Sequence, residues 1–270
     1  MEAPVQKERV VLRLLEPPGS SRESLWERLF KGTYDKPFII DRGIRRFLHF
    51  DLCTVQSAMN LLYPERLSLN YTRKMMAFLL FNADPARILL LGLGGGSLAK
   101  FCYWRLPRAR ITAVEVNPDV IALREAFRVP VDDERFRVVR AEGTEYVAHA
   151  DSAKDVILAD ACDREGVAPE CDSLEFYQQV YQRLSPRGVF VTNLCVGASA
   201  THVRKIRSVF GDHCLKLRSR QDGNVILFAL KEPGRALHWP SLEVATALKR
   251  RFGLDFPRYV QRARQICATG

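Results

Sequence analysis

A buried strand that runs directly into a cluster of glycines constrains this chain more than any other feature. Ile88, Leu89, Leu90 and Leu91 form an unbroken apolar run, and Gly92, Gly94, Gly95 and Gly96 follow at once. An unbroken run of this length predicts a strand covered on both faces in a parallel sheet. Residues 97–105 then read as a helix. Glycines let the backbone turn sharply and approach a ligand closely, and the start of a helix presents unpaired N–H groups. Residues 111–116 predict a second strand, with Glu115 near its carboxyl end. An acid about 20 residues past such glycines is placed to accept hydrogen bonds from ribose hydroxyls.

The glycine spacing narrows the ligand. A dinucleotide fingerprint wants a third glycine or alanine where this chain has Ser97. Gly92, Gly94 and Gly96 instead alternate at a tighter interval. That interval favours folds that bind S-adenosylmethionine or its relatives, and a nicotinamide dinucleotide is the lesser alternative.

The rest of the chain supplies the frame. From residue 87 strands and helices alternate, with strands near 88–91, 111–116, 136–139, 156–159 and 188–193. Helices read near 97–105, 118–127, 143–149 and 173–184. Alternation of this kind predicts a parallel sheet with helices on both faces. A helix near 199–210 precedes strands at 214–219 and 224–230, joined too closely to be anything but an antiparallel pair. Two helices, near 241–252 and 256–266, close the chain. The expected fold class is α/β: a Rossmann-like, S-adenosylmethionine-dependent methyltransferase fold, mostly parallel, with an antiparallel C-terminal hairpin. Before it, a strand at 7–15, a helix at 21–30, a hairpin over 37–50 turning at 41–43, and an apolar helix over 69–81 are predicted. The expected division is a small, mostly β domain over 1–68 and a nucleoside-binding catalytic domain over 69–270.

Composition excludes several classes. No apolar run reaches about 18 residues, so no membrane span is expected, and the first residues lack a signal-peptide pattern. The seven cysteines show no C-x-x-C spacing and sit in apolar surroundings, which predicts reduced thiols and a cytoplasmic protein. The five histidines form no ligand pair, so no metal is expected. The net charge of +10 raises the question of a nucleic-acid partner. The basic residues are spread, however, and no aromatic residues interleave with them for base stacking, so a nucleic-acid partner is not expected.

In an open parallel sheet, ligands bind beyond the carboxyl ends of the strands. Glu115, Glu142 (followed by Gly143), Asp160, Asp163 and Asn193 all lie at such ends. For a single acid the plainer interpretation is a helix N-cap or a loop carboxylate. Asp160 stands apart because it directly follows a buried apolar strand. A carboxylate there attracts a substrate ammonium and takes its proton. The freed nitrogen lone pair then attacks a carbon next to a sulfonium, which is a good leaving group.

With these residues in view, the chain resembles the spermidine synthase (polyamine aminopropyltransferase) family, as a divergent member, over about residues 37–230. The family's glycine turn is matched by Gly92 to Ser97, and its ribose acid by Glu115. Its adenine-side acid-glycine pair is matched by Glu142 and Gly143, and its catalytic aspartates by Asp160 and Asp163. Its Phe-Tyr helix is matched by Phe176 and Tyr177, and its acceptor-side residues by Gln56 and Tyr71. The resemblance implies Asp160 as base, with Asp163, Tyr71 and Gln56 orienting an amine, Asn193 on the substrate side, and the four glycines with Glu115, Glu142 and Gly143 holding the nucleoside. It also implies assembly as dimers or tetramers, and a homodimer is the expectation that the short N-terminal unit leaves open.

The chain departs from the family in four places. Gly95 replaces an aspartate that would face the free amine of the decarboxylated donor and repel the carboxylate of ordinary S-adenosylmethionine. Thr72 and Arg73 replace a His/Gln and a Glu that would help hold a polycation, and Arg164 replaces a proline. The expected function is therefore aminopropyl transfer from decarboxylated S-adenosylmethionine to a small amine (polyamine) acceptor. The alternatives are an S-adenosylmethionine-dependent methyltransferase and a nucleoside-binding protein without catalysis.

Overall fold

The computed structural model describes residues 9–17, 19–150, 152–161, 169–195, 200–219, 223–231 and 239–268. Its first strands, β1 (Val10–Arg13), β2 (Phe38–Arg42), β3 (Arg45–His49) and β4 (Val55–Asn60), form an antiparallel sheet in that order. Helix α1 (Arg22–Phe30) begins where expected, with the Ser21 side chain accepting from the Ser24 N–H. The hairpin turn sits slightly later than predicted. Arg42 pairs with Arg45, so the loop is Gly43 and Ile44, the two-residue connection that keeps twisted strands paired. Strand β4 was not anticipated, because Gln56 and Ser57 dilute its apolar signal.

Helix α2 (Asn70–Met75) continues into a 3₁₀ turn, Met76–Leu80, where a single helix was predicted. All five residues of that turn are buried, so packing on every side sets their path in place of a single helical face.

The main sheet runs β10-β11-β9-β8-β5-β6-β7. Its strands are β5 (Arg87–Leu91), β6 (Arg110–Glu115), β7 (Phe136–Arg140), β8 (Lys154–Ala159), β9 (Leu184–Leu194), β10 (Cys214–Arg218) and β11 (Val225–Leu230). β5 to β9 pair in parallel, while β11 is antiparallel to both β9 and β10, as predicted. The helices are α3 (Ser97–Arg105), α4 (Pro118–Ala122), α5 (Gly143–Ala148), α6 (Leu174–Arg183), α7 (Ala200–Phe210), α8 (Leu242–Phe252) and α9 (Phe256–Ala268). α4 is shorter than expected, and β9 starts earlier. Pro186 disfavours helix at the residue before it, so the chain turns extended from Leu184.

Alternate residues of β5 serve two cores. Ile88 and Leu90 pack with α3, α8 and the N-terminal sheet, and Leu89 and Leu91 pack with α5, α6 and α7. Ile39, Leu48 and Met59 join the first of these cores, so the small sheet is seated on the large one. Cys53, Cys102, Cys171 and Cys214 are free thiols, but Cys195 is disulfide-bonded, which corrects the expectation of reduced cysteines throughout. Residue spacing carries no information on such long-range pairing. Among the described residues no helix is long and apolar enough to cross a membrane.

One polar cluster ties the small sheet to the large domain. Arg46 donates to both oxygens of Asp41 at 2.7 and 2.8 Å and to the Ala126 carbonyl at 2.6 Å, with Arg13 adding a contact to Asp41 at 3.1 Å. The Arg46 hydrogen bonds hold the Asp41 carboxyl below its ordinary range. Arg46→Met is expected to cost about 1–3 kcal/mol in urea unfolding at neutral pH, since it leaves a buried carboxylate with only the exposed Arg13 as its charged partner. A depressed carboxyl stabilises above its unfolded-state value and stops doing so as pH falls through its folded-state value. The gap between wild type and variant should therefore narrow below about pH 4.

Candidate active site

The strand order reverses between β5 and β8, and the candidate site forms there, at the carboxyl ends. Two chain segments meet at very short range. Gly92 follows β5 with φ +93°, and a Cβ built on it would lie 2.6 Å from the Asp160 carbonyl oxygen at the end of β8. Only glycine permits both that backbone conformation and that approach. The Asp160 N–H donates to the Leu91 carbonyl at 2.9 Å and the Gly92 N–H to Val114 at 2.8 Å, which locks three strand ends together.

The Asp160 carboxylate lies among protein atoms, although the residue keeps some exposure. Asn193, buried on β9, donates to Oδ1 at 2.9 Å, and Tyr71, on α2, donates to Oδ2 at 3.2 Å. Burial raises the carboxyl's pKa, and the two donors only partly oppose it. Tyr71 also reaches the Gln56 backbone carbonyl at 3.5 Å, so Gln56 contributes its main chain here. The structure thus brings together Tyr71, Gln56, Asp160 and Asn193 from four separate elements. Asp163 and Arg164 lie outside the described residues.

Across the switch point, Glu115 ends β6. Its two oxygens accept from the Leu93 N–H at 3.0 Å and the Asn117 N–H at 2.9 Å, which leaves lone pairs on both for hydroxyl donors. Glu142 is the N-cap of α5, accepting from the Thr144 N–H at 2.6 Å and the Glu145 N–H at 3.2 Å, with Gly143 opening the helix. Burial works against its charge, but the Thr144 hydroxyl and the surrounding N–H groups hold the carboxyl below its ordinary range.

The departures from the family pattern acquire a geometry. Gly95 faces Ser57 and Phe127: an added Cβ would stand 2.6 Å from Ser57 Oγ and 2.9 Å from Phe127 Cδ1. The site has neither an acid at this position nor space for one unless those neighbours shift. Arg73 turns back onto the loop before its helix, donating to the Leu67 carbonyl at 2.8 Å, to Ser68 at 3.4 Å and to Asn70 at 3.5 Å. Two positions along a helix from Tyr71 it occupies another face, and its charge is not directed at Asp160. Thr72 is buried and donates to the Leu69 carbonyl at 2.8 Å. Phe176 and Tyr177 are core residues, with the Tyr177 hydroxyl donating to Asp172 at 2.9 Å.

Lys100 escaped the sequence reading. It is 1% exposed and donates to the carbonyls of Gly95 at 3.0 Å and Phe127 at 2.7 Å, with Met59 sulfur at 3.1 Å. Its position one turn into the helix after the glycines was the available signal, and a lysine on an otherwise apolar helix face was the anomaly. It braces the glycine turn from below.

Burial, with a smaller push from Arg128, lowers the Lys100 ammonium to about 7. The unfolded chain then holds more protons than the folded one between about pH 7 and pH 10, so this group makes stability rise with pH by up to about 1.4 kcal/mol per unit. Lys100→Met should remove that slope between pH 7 and 9 in chemical denaturation. It should also weaken nucleoside binding by about tenfold through a loosened glycine turn.

Comparison with known proteins identifies the family and the fold. The spermine/spermidine synthase domain family matches residues 69–209. A polyamine aminopropyltransferase of Chromobacterium violaceum is 38% identical over 231 residues, covering 84% of this chain and 88% of that protein. The structure of human methyltransferase-like protein 13 in complex with SAH has a TM-score of 0.63 and 28% identity, over 68% of this chain and 93% of that one. A probable spermidine synthase from Corynebacterium glutamicum has a TM-score of 0.62 at 20% identity, over 80% of this chain and 79% of that one, a likeness of fold. Relatives stand on both the aminopropyl-transferring and the methyl-transferring side of one catalytic fold that uses S-adenosylmethionine-type ligands. The chain belongs to the spermine/spermidine synthase family.

Proposed function

We propose that this protein is an aminopropyltransferase, moving an aminopropyl group from decarboxylated S-adenosylmethionine to the nitrogen of a small amine. The observation that carries the proposal is the buried Asp160 carboxylate between the Tyr71 and Asn193 donors. A carboxylate whose pKa is raised by burial is a better base than an exposed one. Asp160 takes a proton from the acceptor's ammonium, and the nitrogen lone pair attacks the carbon next to the sulfonium. As the C–N bond forms, the C–S bond breaks, and its electron pair leaves with sulfur as a neutral thioether, methylthioadenosine. The product nitrogen carries the positive charge. Glu115 and the turn from Gly92 to Gly96 hold the nucleoside, with Glu142 and Gly143 on the adenine side. Arg73, held by main-chain carbonyls, does not oppose a cationic acceptor. The relative from Chromobacterium violaceum supports this choice of reaction.

One observation favours a second reading, methyl transfer from S-adenosylmethionine to an amine. Gly95 is closed off by Ser57 and Phe127, so no acid stands there to reject a donor carboxylate. Both reactions need the same base and differ in the donor.

Calorimetric titration with S-adenosylmethionine, its decarboxylated form and methylthioadenosine separates them. Tighter binding of the decarboxylated donor is the expected result, and tighter binding of the carboxylated one would replace aminopropyl transfer with methyl transfer. Asp160→Asn should lower turnover by about 10²–10⁴-fold with donor affinity nearly unchanged. Full turnover by that variant would remove Asp160 as the base. The acidic limb of kcat/KM should lie above the ordinary carboxylate range. Asn193→Ala should move it to higher pH, because the lost hydrogen bond favoured the charged form.

A further inference from the structure

A second concave site lies away from Asp160, where α2, the end of α3, and the α8–α9 pair converge. This cavity holds about 670 Å³, the size range of small-molecule sites. Its walls carry Arg66, Arg73, Lys74, Arg105, Arg258 and Arg262, against the acids Glu65 and Asp255. Asp255 is already engaged, accepting from Lys249 at 2.9 Å. Among the described residues no carboxylate pairs with Arg66, Arg105, Arg258 or Arg262 within 4.0 Å. Arg66 instead stacks on Tyr63, 4.1 Å from the ring centroid, and Arg73 is held by carbonyls. The α9 tyrosine, Tyr259, is 8% exposed and lies in the field of Arg73, Arg258 and Arg262 as well as that of the Asp255 carboxylate.

Like charges gathered around a shared concavity repel one another, and the low-dielectric wall behind them amplifies the potential they focus. An anion in the cavity would turn that repulsion into charge-assisted hydrogen bonds. Arginine's planar fork is the side chain best matched to phosphate oxygens. The rest of the lining mixes Asn70 with Leu67, Leu254 and the largely buried Phe101, Phe252 and Tyr259, so a ligand that adds an organic part to its phosphate meets apolar as well as polar wall.

We propose that this cavity is a binding site for a phosphate-bearing small molecule of nucleotide size. Helix α2 separates it from the candidate active site. That helix is six residues long and carries Arg73 and Lys74 on the cavity side and Tyr71 toward Asp160. Lys74 is buried and bonded to Ser219 at 2.8 Å, so the helix is fixed to the sheet between the two sites.

The test is calorimetry on the full chain with two probes, inorganic triphosphate and ATP, at about 150 mM salt. Saturable binding of both is expected, ATP the tighter. The double variant Arg258→Gln, Arg262→Gln should lose at least about tenfold in affinity for each probe while keeping the wild-type melting temperature. Those two side chains lie on the outer part of the wall, and Arg105→Gln supplies an independent variant from a different helix with the same expected loss. Saturating S-adenosylmethionine should leave triphosphate binding in place. The proposal fails if neither probe binds below about 5 mM, if the variants bind as well as wild type, or if S-adenosylmethionine displaces both probes. Binding of a duplex RNA that depends on these arginines, with no response to either small probe, would also overturn it, in favour of a nucleic-acid surface.

Discussion

The contact between the Gly92 backbone and the Asp160 carbonyl is the constraint on which the rest of the site depends. It exists because β5 and β8 are neighbours at the point where the strand order reverses, and because nothing projects from Gly92 to keep them apart. From that contact the other positions follow. The turn after β5 directs the chain into α3, and Asp160 is set at the mouth of the sheet. Asn193 arrives on the adjacent strand, one pair further along the same edge. A side chain at residue 92 would force the strand ends apart and separate the glycine turn from Asp160.

The Tyr71 side of the site depends on a different kind of order. Tyr71 reaches Asp160 from a short helix that belongs neither to the parallel sheet nor to the small antiparallel one. α2 is held by the Thr72 and Arg73 hydrogen bonds to the carbonyls just before it, by the buried Lys74–Ser219 hydrogen bond and by the fully buried 3₁₀ turn after it. Residues placed by packing in this way can be re-aimed by small changes in their surroundings, whereas residues on strand ends cannot. The departures at Thr72 and Arg73 fall on this helix. Both side chains have been recruited into holding the helix. A sequence comparison would count them as lost substrate contacts, and the structure counts them as gained internal ones.

Gly95 is the counterpart on the donor side. The chain does not simply lack an acid: Ser57 and Phe127 occupy the volume next to it, and Lys100 holds the Gly95 carbonyl from beneath. The turn is thus packed as a glycine turn from three directions. Placing an acid there would require neighbours on β4 and after α4 to move.

The sequence by itself determined what depends on local pattern. Apolar runs and amphipathic repeats located the strands and helices of the main sheet, and the C-terminal hairpin was legible from its short connection. The glycine turn and the acids at strand ends followed, because strand polarity in an alternating α/β chain places every carboxyl end on one edge. The 3₁₀ turn after α2, the extended start of β9 and the strand β4 were not legible, since burial on all sides, a single proline and polar residues within a strand each override periodicity. Only the tertiary structure decided which charges face which cavity. Arg73 turns away from Asp160, Lys100 lies beneath the glycines, Ser57 closes Gly95, and arginines from separate helices surround one concavity. Each of those outcomes is a contact between residues far apart in the chain, and such contacts are set by how layers pack and not by what neighbours a residue in sequence.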